Sequence, residues 1–281
     1  MTSIAVIGGG EIGEALVAGL ISSGADPSTI TVSNRRAQRS EYFAEKYGVH
    51  TELDNARAAS EAQVIIVCVK PGVVPGVLEE IAEAVSDNDN QPVVVSFAAG
   101  VTIQTMADAL SAGTPVVRVM PNTPMHKRLG VFAVTPGRFV DEDQMATLSE
   151  VLSAVGTVVT VAEEEMDAAT AMSGSGPGYI YLVAEAMIDA GVNQGLPRAT
   201  ARALVCGAIE GAGAMLAAGE ESPTDLREQI CTPGGTTSAA VRELEESGLR
   251  GAFFRAVEAC VSRAAEFGAQ DEDSSSSSED D

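Results

Sequence analysis

The glycine-rich stretch GGGEIG, at residues 8–13, is the first group of residues whose spacing points to chemistry. It directly follows the strand-like residues 4–7 and precedes a helix-like pattern. Glycines let a backbone approach a phosphate closely, and the N-terminus of the following helix can then hold the anion. The stretch predicts a dinucleotide site, and a merely tight turn is the structural alternative. The predicted contacts are Gly8, Gly10, Glu11, Ile12 and Gly13, provided that the Glu11 side chain points away from the pyrophosphate.

The second strand-like segment ends in Ser33, Asn34, Arg35 and Arg36. Enzymes that use NAD usually place an acid at this point, where it accepts a hydrogen bond from the ribose 2′-hydroxyl. Here there is no acid, and a hydroxyl followed by arginines suits a 2′-phosphate. The pattern predicts NADPH, while NADH as a second cofactor stays open. The alternative is that these arginines only begin a surface helix.

The stretch TPGGTT, at residues 232–237, begins a helix-like pattern in the second half of the chain. It combines hydroxyls, glycines and free backbone N–H groups, and it contains no lysine or arginine. Such a loop can hold a small anion by dipoles rather than by a charge. Ordinary capping of the helix by threonine or serine is the alternative.

After Lys127 the chain contains neither lysine nor histidine, so the helical half offers only Tyr179 and Tyr181 as acid–base candidates of the usual kind. Reduction of a ketone normally needs such a positioned group. The absence favours a substrate that is already electrophilic, such as a protonated imine, which needs mainly positioning.

Short apolar segments alternate with helical patterns in the first half of the chain. This alternation indicates a parallel sheet buried on both faces, hence an α/β, doubly wound Rossmann-type domain. The predicted strands are 3–7, 30–33, 63–69, 92–97, 115–120, 131–135 and 157–161, and the predicted helices are 12–23, 36–47, 73–85, 102–111 and 141–154.

After about residue 163 the strand signal stops, and Gly/Pro punctuation separates long helical runs. The predicted helices are 164–172, 177–192, 197–218, 222–230, 236–246 and 249–267. The predicted organisation is a dinucleotide-binding domain at 1–162, an all-helical domain at 163–268, and a disordered acidic tail at 269–281.

The chain has 40 acidic and 17 basic residues, a net charge of −23, and only three lysines. This balance disfavours nucleic-acid and anionic-membrane binding. It suits a protein from a halophile, because concentrated salt screens repulsion between surface carboxylates; an ordinary acidic protein is the alternative.

The N-terminal residues do not resemble a signal peptide, and no uninterrupted apolar run reaches the length of a membrane span, so a cytoplasmic location is expected. The four cysteines lack metal-ligand spacing, and the chain has two histidines, so reduced thiols and no metal site are expected.

The chain resembles the pyrroline-5-carboxylate reductase family up to about residue 268. The resemblance is carried by GGGEIGEA (8–15), SNR (33–35), VKP (69–71), SFAAG (96–100), RVMPNTP (118–124), SGSGPGY (173–179), GLPR (195–198) and TPGGTT (232–237). The chain departs from the family pattern at Glu11, where asparagine is usual, and in its acidic serine tail.

The resemblance implies reduction of 1-pyrroline-5-carboxylate to proline by NADPH, and a helical C-terminal domain that builds a homodimer, with larger assemblies of dimers also known in the family. It implies that the 2′-phosphate contacts are Ser33, Asn34 and Arg35, that Asn55 lies at the adenosine, and that the nicotinamide ribose is surrounded by Val69, Lys70, Pro71, Ala98 and Asn122. It further implies that the substrate carboxylate is held by Thr232, Gly234, Gly235, Thr236 and Thr237, and that Thr170 and Glu220 lie near the imine nitrogen.

Two other functions stay open at this point. A hydroxyacid dehydrogenase can share the two-domain plan, but those relatives are expected to carry a catalytic lysine on the helix after the Ser-Gly-x-Gly loop, and residues 177–192 contain none. A non-catalytic dinucleotide-binding protein is the second alternative, although the stretch at 232–237 is intact.

Overall fold

The computed structural model describes the backbone of residues 2–276 and the side chains of residues 2–266. Within the chain two compact units form: residues up to Ser175 together with those from Cys260 onward, and Gly176–Ala259. The predicted boundary after residue 162 lies earlier, ahead of a segment that groups with the first unit.

The first unit contains the sheet, which has the order β3-β2-β1-β4-β5-β6-β7-β8 in the described residues. Its strands are β1 (Ile4–Ile7), β2 (Ile30–Ser33), β3 (His50–Glu52), β4 (Val64–Val67), β5 (Val93–Ser96), β6 (Val116–Met120), β7 (Gly130–Pro136) and β8 (Gly156–Thr160). Its helices up to the last strand are α1 (Glu11–Ser23), α2 (Ala37–Tyr47), α3 (Asn55–Ala59), α4 (Val74–Ser86), α5 (Ile103–Asp108) and α6 (Glu142–Ser153). The predicted Rossmann-type domain is confirmed.

The sheet is buried on both faces, which explains why its strands are continuously apolar. In β1, Ile4 and Val6 join one hydrophobic cluster, whereas Ala5 and Ile7 join the other. The alternation places one cluster on each side of the strand.

Three details differ from the sequence prediction. Strand β3 and helix α3 were not predicted, because β3 is a short edge strand with no apolar run and α3 has only five residues.

Strand β7 is antiparallel to β6. Only a short connection with the 3₁₀ turn Thr123–Lys127 links these two strands, whereas a parallel pair needs a crossover of about a dozen residues or more. The predicted helix 164–172 is divided into a 3₁₀ turn (Glu163–Glu165), α7 (Met166–Ala169) and a π-helical turn (Thr170–Gly174).

The second unit is helical, as predicted. It contains α8 (Gly176–Asn193), α9 (Arg198–Ala218), α10 (Pro223–Ile230), α11 (Thr236–Glu246) and the start of α12 (Leu249–Ser276). By length and composition alone, α9 could cross a membrane, and only 11% of its most apolar 18-residue stretch is buried in the single chain. The backbone of residues 269–276 continues α12, which differs from the disorder predicted for the acidic tail, 269–281, and residues 277–281 lie outside the described ones.

Candidate active site

The glycine-rich loop joins β1 to α1, and its glycines are required for different structural reasons. Gly8 has a φ of +102°, and a Cβ there would lie 2.9 Å from the Cys68 carbonyl oxygen. A Cβ at Gly13 would lie 2.2 Å from the Gly8 carbonyl oxygen, so Gly13 allows α1 to pack against the loop. Gly10 is exposed and has no atom within 4 Å of its Cβ position. The open backbone around Gly10 is therefore available to a ligand.

A cleft of about 750 Å³ lies at the carboxyl ends of β1, β2 and β4. It gathers most of the predicted cofactor residues: Gly8, Gly10, Ser33, Asn34, Arg35, Asn55, Val69 and Lys70. Its lining also contains Arg36, which the sequence pattern groups with Arg35 for the 2′-phosphate, and Gly9, Arg39, Val73 and Val77, which were not predicted as contacts.

The charge of this cleft is opposite to that of the chain. Its lining holds four cationic side chains, Arg35, Arg36, Arg39 and Lys70, and no carboxylate among the described residues. The whole chain carries a net charge of −23. A local positive surface in a strongly acidic protein favours a polyanionic ligand. Together with the uncapped N-terminus of α1, it fits the diphosphate and 2′-phosphate of NADPH.

The end of β2 forms a polar chain of hydrogen bonds. The Ser33 hydroxyl donates to the Asn55 amide oxygen over 2.5 Å, and the Asn55 amide nitrogen donates to the Glu80 carboxylate over 2.8 Å. Arg35 and Arg36 are exposed and form no ion pair in the described part of the chain. They are therefore free to meet a phosphate.

Asn34 occupies a different position from its neighbours. It is buried, and its amide oxygen accepts a hydrogen bond from the Gly9 backbone N–H over 3.0 Å. Its amide nitrogen is also buried and has no partner in the described structure. Asn34 therefore supports the loop through its amide oxygen, and its amide nitrogen is the donor that the predicted 2′-phosphate contact would use.

Cys68 lies at the wall of the cleft. Burial raises the pKa of its thiol, so the group stays protonated and is not a nucleophile.

The other predicted cofactor residues do not line this cleft, namely Glu11, Ile12, Gly13, Pro71, Ala98 and Asn122. The Glu11 side chain is exposed at the first position of α1. The buried Asn122 joins two segments: its amide nitrogen donates to the Ser173 carbonyl over 2.9 Å, and its amide oxygen accepts from the Val131 N–H over 2.8 Å. Asn122 therefore holds the π-helical turn beside the start of β7.

Arg118 fixes the segment that leads to this turn. Its guanidinium is buried and lies 3.5 Å from the Glu163 carboxylate and 3.6 Å from the Asp167 carboxylate. Glu163 also accepts from the Ile103 N–H, at the start of α5, over 2.8 Å.

Thr170 begins the π-helical turn one residue after α7. Its hydroxyl donates to the Met166 carbonyl over 2.8 Å. The wider π-helical spacing is seen in the hydrogen bond from the Ser175 N–H to the Thr170 carbonyl. Such turns occur often at functional sites.

The stretch 232–237 forms a turn at the start of α11 in the second unit. The Gly235 N–H donates to the Thr232 carbonyl over 2.9 Å, and Gly234 between them has a φ of +72°, as a type II turn with proline before glycine requires. Gly235 is the N-cap of α11 and provides no side-chain cap, so first-turn N–H groups remain available. Glu220 is exposed in the connection between α9 and α10.

Three residues that hold the site, Arg39, Glu14 and Arg118, were not predicted to have a role there, because their partners come from other elements of the fold and cannot be identified from local spacing. Within the described residues, no cluster of three or more His, Cys, Asp or Glu side chains could hold a metal.

Two family models match different parts of the chain, and its curated relatives and similar solved structures include pyrroline-5-carboxylate reductases. Residues 163–267 match the family "Pyrroline-5-carboxylate reductase dimerisation", and residues 3–100 match "NADP oxidoreductase coenzyme F420-dependent". The chain is 52% identical to the pyrroline-5-carboxylate reductase of Corynebacterium melassecola, over 95% of this chain and 99% of that protein.

Two solved structures are similar over nearly the whole chain. The structure of a pyrroline-5-carboxylate reductase from Coxiella burnetii superposes with a TM-score of 0.89 at 38% identity, and covers 95% of this chain and 98% of its own. The Plasmodium falciparum pyrroline carboxylate reductase with NADP bound gives a TM-score of 0.84 at 26% identity, with the same coverage of 95% and 98%.

Proposed function

The chain belongs to the pyrroline-5-carboxylate reductase family, and on that premise we infer that it reduces 1-pyrroline-5-carboxylate to L-proline with NADPH. When bound, NADPH supplies the hydride that the imine carbon accepts. The structural observation that carries this function is the cation-lined cleft beside an uncapped helix N-terminus, in a chain that is otherwise strongly acidic.

Within the cleft, Arg35 and Arg36 are proposed to bind the 2′-phosphate. They are exposed and form no ion pair with a described residue. The backbone around Gly10 is proposed to meet the diphosphate, since this part of the loop is open. Lys70 at the cleft wall adds a further cation.

The turn at 232–237 is proposed to hold the substrate carboxylate. Its free N–H groups and its threonine hydroxyls are donors, and no lysine or arginine lies within it. Dipoles at a helix N-terminus suffice for a single anionic group. Because the imine already carries its positive charge when protonated, the chain needs to orient the substrate rather than to polarise it.

Thr170 and Glu220 are proposed to lie near the imine nitrogen of the substrate. The Thr170 proton is engaged with the Met166 carbonyl, so its hydroxyl can accept a hydrogen bond from a protonated imine without losing its own bond. Glu220 is exposed and offers a carboxylate for the same charge.

The decisive assay follows NADPH oxidation with pyrroline-5-carboxylate and with 1-pyrroline, which lacks the carboxylate. NADPH formation from NADP⁺ and a 3-hydroxy acid tests the reverse type of reaction. We expect turnover with pyrroline-5-carboxylate and far less with 1-pyrroline. Thr237→Val should lower kcat/KM for pyrroline-5-carboxylate by roughly 10- to 150-fold and remove much of that difference, because a hydrogen bond to a charged group is worth about 1.5–3 kcal/mol.

Equal turnover of the two imines by the unmodified protein would contradict the carboxylate assignment. Turnover of the hydroxy acid alone would identify a hydroxyacid dehydrogenase. Tight NADPH binding without any turnover would identify a non-catalytic dinucleotide-binding protein.

The helical unit is proposed to form a homodimer. Its match to a dimerisation family supports this, as do large apolar side chains that are exposed in the single chain: Ile180, Leu182, Leu204, Met215, Leu216 and Phe254. Assembly into larger oligomers is proposed as well, and light scattering measures both. We further propose that the enzyme works in the cytoplasm.

Adaptation to concentrated salt is proposed from the surface charge. At a net charge of −23, repulsion between carboxylates extends over a Debye length of about 30 Å at 0.01 M salt and about 3 Å at 1 M. The melting temperature should therefore rise steeply from low to molar salt. A melting temperature that stays constant or falls would contradict the halophile assignment and leave the enzymatic function untouched.

A further inference from the structure

Gly9, in the middle of the glycine-rich loop, is held from both sides by side chains outside the loop. Its N–H donates to the Asn34 amide oxygen over 3.0 Å, and its carbonyl accepts from the Arg39 Nε over 2.6 Å. A Cβ at Gly9 would lie 2.3 Å from the Asn34 amide oxygen and 2.6 Å from the Phe43 ring, so the loop packs directly on these residues.

Arg39 is itself fixed in place. Its Nη2 lies 2.5 Å from the Glu14 carboxylate, and its guanidinium lies over the rings of Tyr42 and Phe43, 4.7 and 4.9 Å from their centroids. Glu14 belongs to α1, the helix that the loop begins, whereas Arg39 belongs to α2. The pair therefore joins the two helices directly behind the loop.

Glu14 is strongly held as a carboxylate. Partial burial acts to raise its pKa, but hydrogen bonds from Tyr42, Lys46, Arg39 and Tyr47 outweigh burial and lower the pKa to about 2. The anchor of Arg39 is thus charged throughout the physiological pH range.

The hydrogen bond to Gly9 has a consequence for the next backbone donor. The Gly9 carbonyl and the Gly10 N–H belong to one planar peptide unit and point in opposite directions. By holding the carbonyl, Arg39 also fixes the direction of the Gly10 N–H. Gly10 is the N-cap of α1 and provides no side-chain cap, so the orientation of backbone donors decides how well this helix end meets an anion.

A glycine backbone is flexible, because glycine can adopt more conformations than other residues and loses more freedom when one of them is fixed. The orientation of the loop must therefore come from its neighbours.

We propose that Arg39, anchored by Glu14, is a positioning residue of the cofactor site: it holds the Gly9–Gly10 peptide in the orientation that the diphosphate requires, and it does not bind the 2′-phosphate. The inference rests on the proposed use of NADPH. The 2′-phosphate is left to Arg35 and Arg36, which are exposed and form no ion pair with a described residue.

The test is equilibrium binding of NADPH and of NADH to the substrate-free enzyme, measured by nicotinamide fluorescence. Both cofactors share the diphosphate, and only NADPH has the 2′-phosphate. Arg39→Met keeps an apolar stem over the rings of Tyr42 and Phe43 but removes the hydrogen bonds. We expect it to raise the Kd of both cofactors by the same factor, about 10-fold.

Arg39→Lys is the second variant, for the case in which Arg39→Met does not fold. It keeps the charge but cannot hold Glu14 and the Gly9 carbonyl in the same geometry, so it should weaken both cofactors equally but by less.

Lys46→Met is the matched control. It removes another ion pair of Glu14, with a distance of 2.9 Å, and the Lys46 side chain forms no hydrogen bond to Gly9 in the described structure. We expect both Kd values to remain within about 2-fold of the parent.

Three results would overturn the proposal. A loss of affinity confined to NADPH would place Arg39 at the 2′-phosphate, and unchanged Kd values in the folded Arg39 variants would remove its role in the site. An equal loss of affinity in Lys46→Met would mean that the cluster only stabilises the fold. None of these depends on turnover, so failure of the proposed reaction would be recognised separately, by the absence of NADPH oxidation in the parent enzyme.

Discussion

The buried Arg118 offers a quantitative test of how the segment before the π-helical turn is held. Its side chain is 8% exposed, and it lies 3.5 Å from Glu163 and 3.6 Å from Asp167. At an effective dielectric constant of about 20, each contact provides about 4–5 kcal/mol of gross attraction. Most of this is offset, because the unfolded chain regains the hydration of the guanidinium.

Arg118→Met leaves the two carboxylates without their cation. Since their side chains are 36% and 32% exposed, water relieves part of the loss, and we expect the free energy of unfolding to fall by about 2–3 kcal/mol rather than by the full cost of an isolated buried charge. Because Thr170 follows this segment, kcat/KM for pyrroline-5-carboxylate should fall as well.

Urea unfolding at fixed protein concentration measures the change, since the stability of an oligomer depends on concentration. Arg57→Met is the matched control: the Arg57–Glu52 pair has the same 3.5 Å distance, but its arginine side chain is 73% exposed, so the loss should stay below about 0.5 kcal/mol. Glu163→Gln, alone and combined with Arg118→Met, should give a coupling of about 1 kcal/mol. Coupling near zero, or equal losses in the Arg118 and Arg57 variants, would refute the reasoning.

Three further predictions concern single positions. Arg35→Asp should weaken NADPH by about 2–3 kcal/mol and leave NADH nearly unchanged in the same fluorescence titration; an unchanged NADPH affinity would place the 2′-phosphate elsewhere. Glu14→Gln should be less stable than the parent at neutral pH, and since the folded-state pKa of Glu14 is lowered to about 2 from 4.5, the difference should shrink as the pH falls between these values; a difference that is independent of pH in urea unfolding would argue against the anchor. Gly235→Val should reduce kcat/KM for pyrroline-5-carboxylate at least as much as Thr237→Val does, because even a Cβ would lie 2.5 Å from the Thr232 hydroxyl, and NADPH affinity should stay near that of the parent.

The sequence allowed prediction of those elements whose signals are local. Strands buried on both faces must be continuously apolar, so β1, β4 and β5 were found within a residue or two. The glycine-rich loop was recognised because a phosphate-binding turn requires small residues at fixed spacing. By contrast, β3 has the polar sequence His50-Thr51-Glu52, and its strand conformation comes from pairing with β2.

The direction of β7 was also accessible in principle, because the connection from β6 is too short for a parallel crossover.

The missed site residues depend on contacts between distant parts of the chain. Arg39 looks like an ordinary surface residue of an amphipathic helix until α1 brings Glu14 beside it. In the sequence, Arg118 is a basic residue within an apolar strand, and only the structure shows that Glu163 and Asp167 pair with it. Burial of a basic residue in a strand costs free energy unless the residue is paired. The position of Arg118 therefore indicated that acidic partners exist, but they could not be identified from spacing.

The two proposed anion sites use different physics, and the difference follows the charge of the ligand. NADPH carries several negative charges, and the long-range field of an acidic chain opposes its approach. A cleft lined by three cations without an ion pair to a described residue, Arg35, Arg36 and Lys70, and by no described carboxylate opposes that field locally. The substrate carries one carboxylate beside its imine, and a cationic side chain at that point would oppose the protonated imine nitrogen. Backbone N–H groups at the turn before α11 bind a carboxylate without adding a net charge. The absence of lysine and histidine after Lys127 is therefore consistent with the proposed reaction, because this half of the chain is proposed to bind a substrate whose positive charge must be kept.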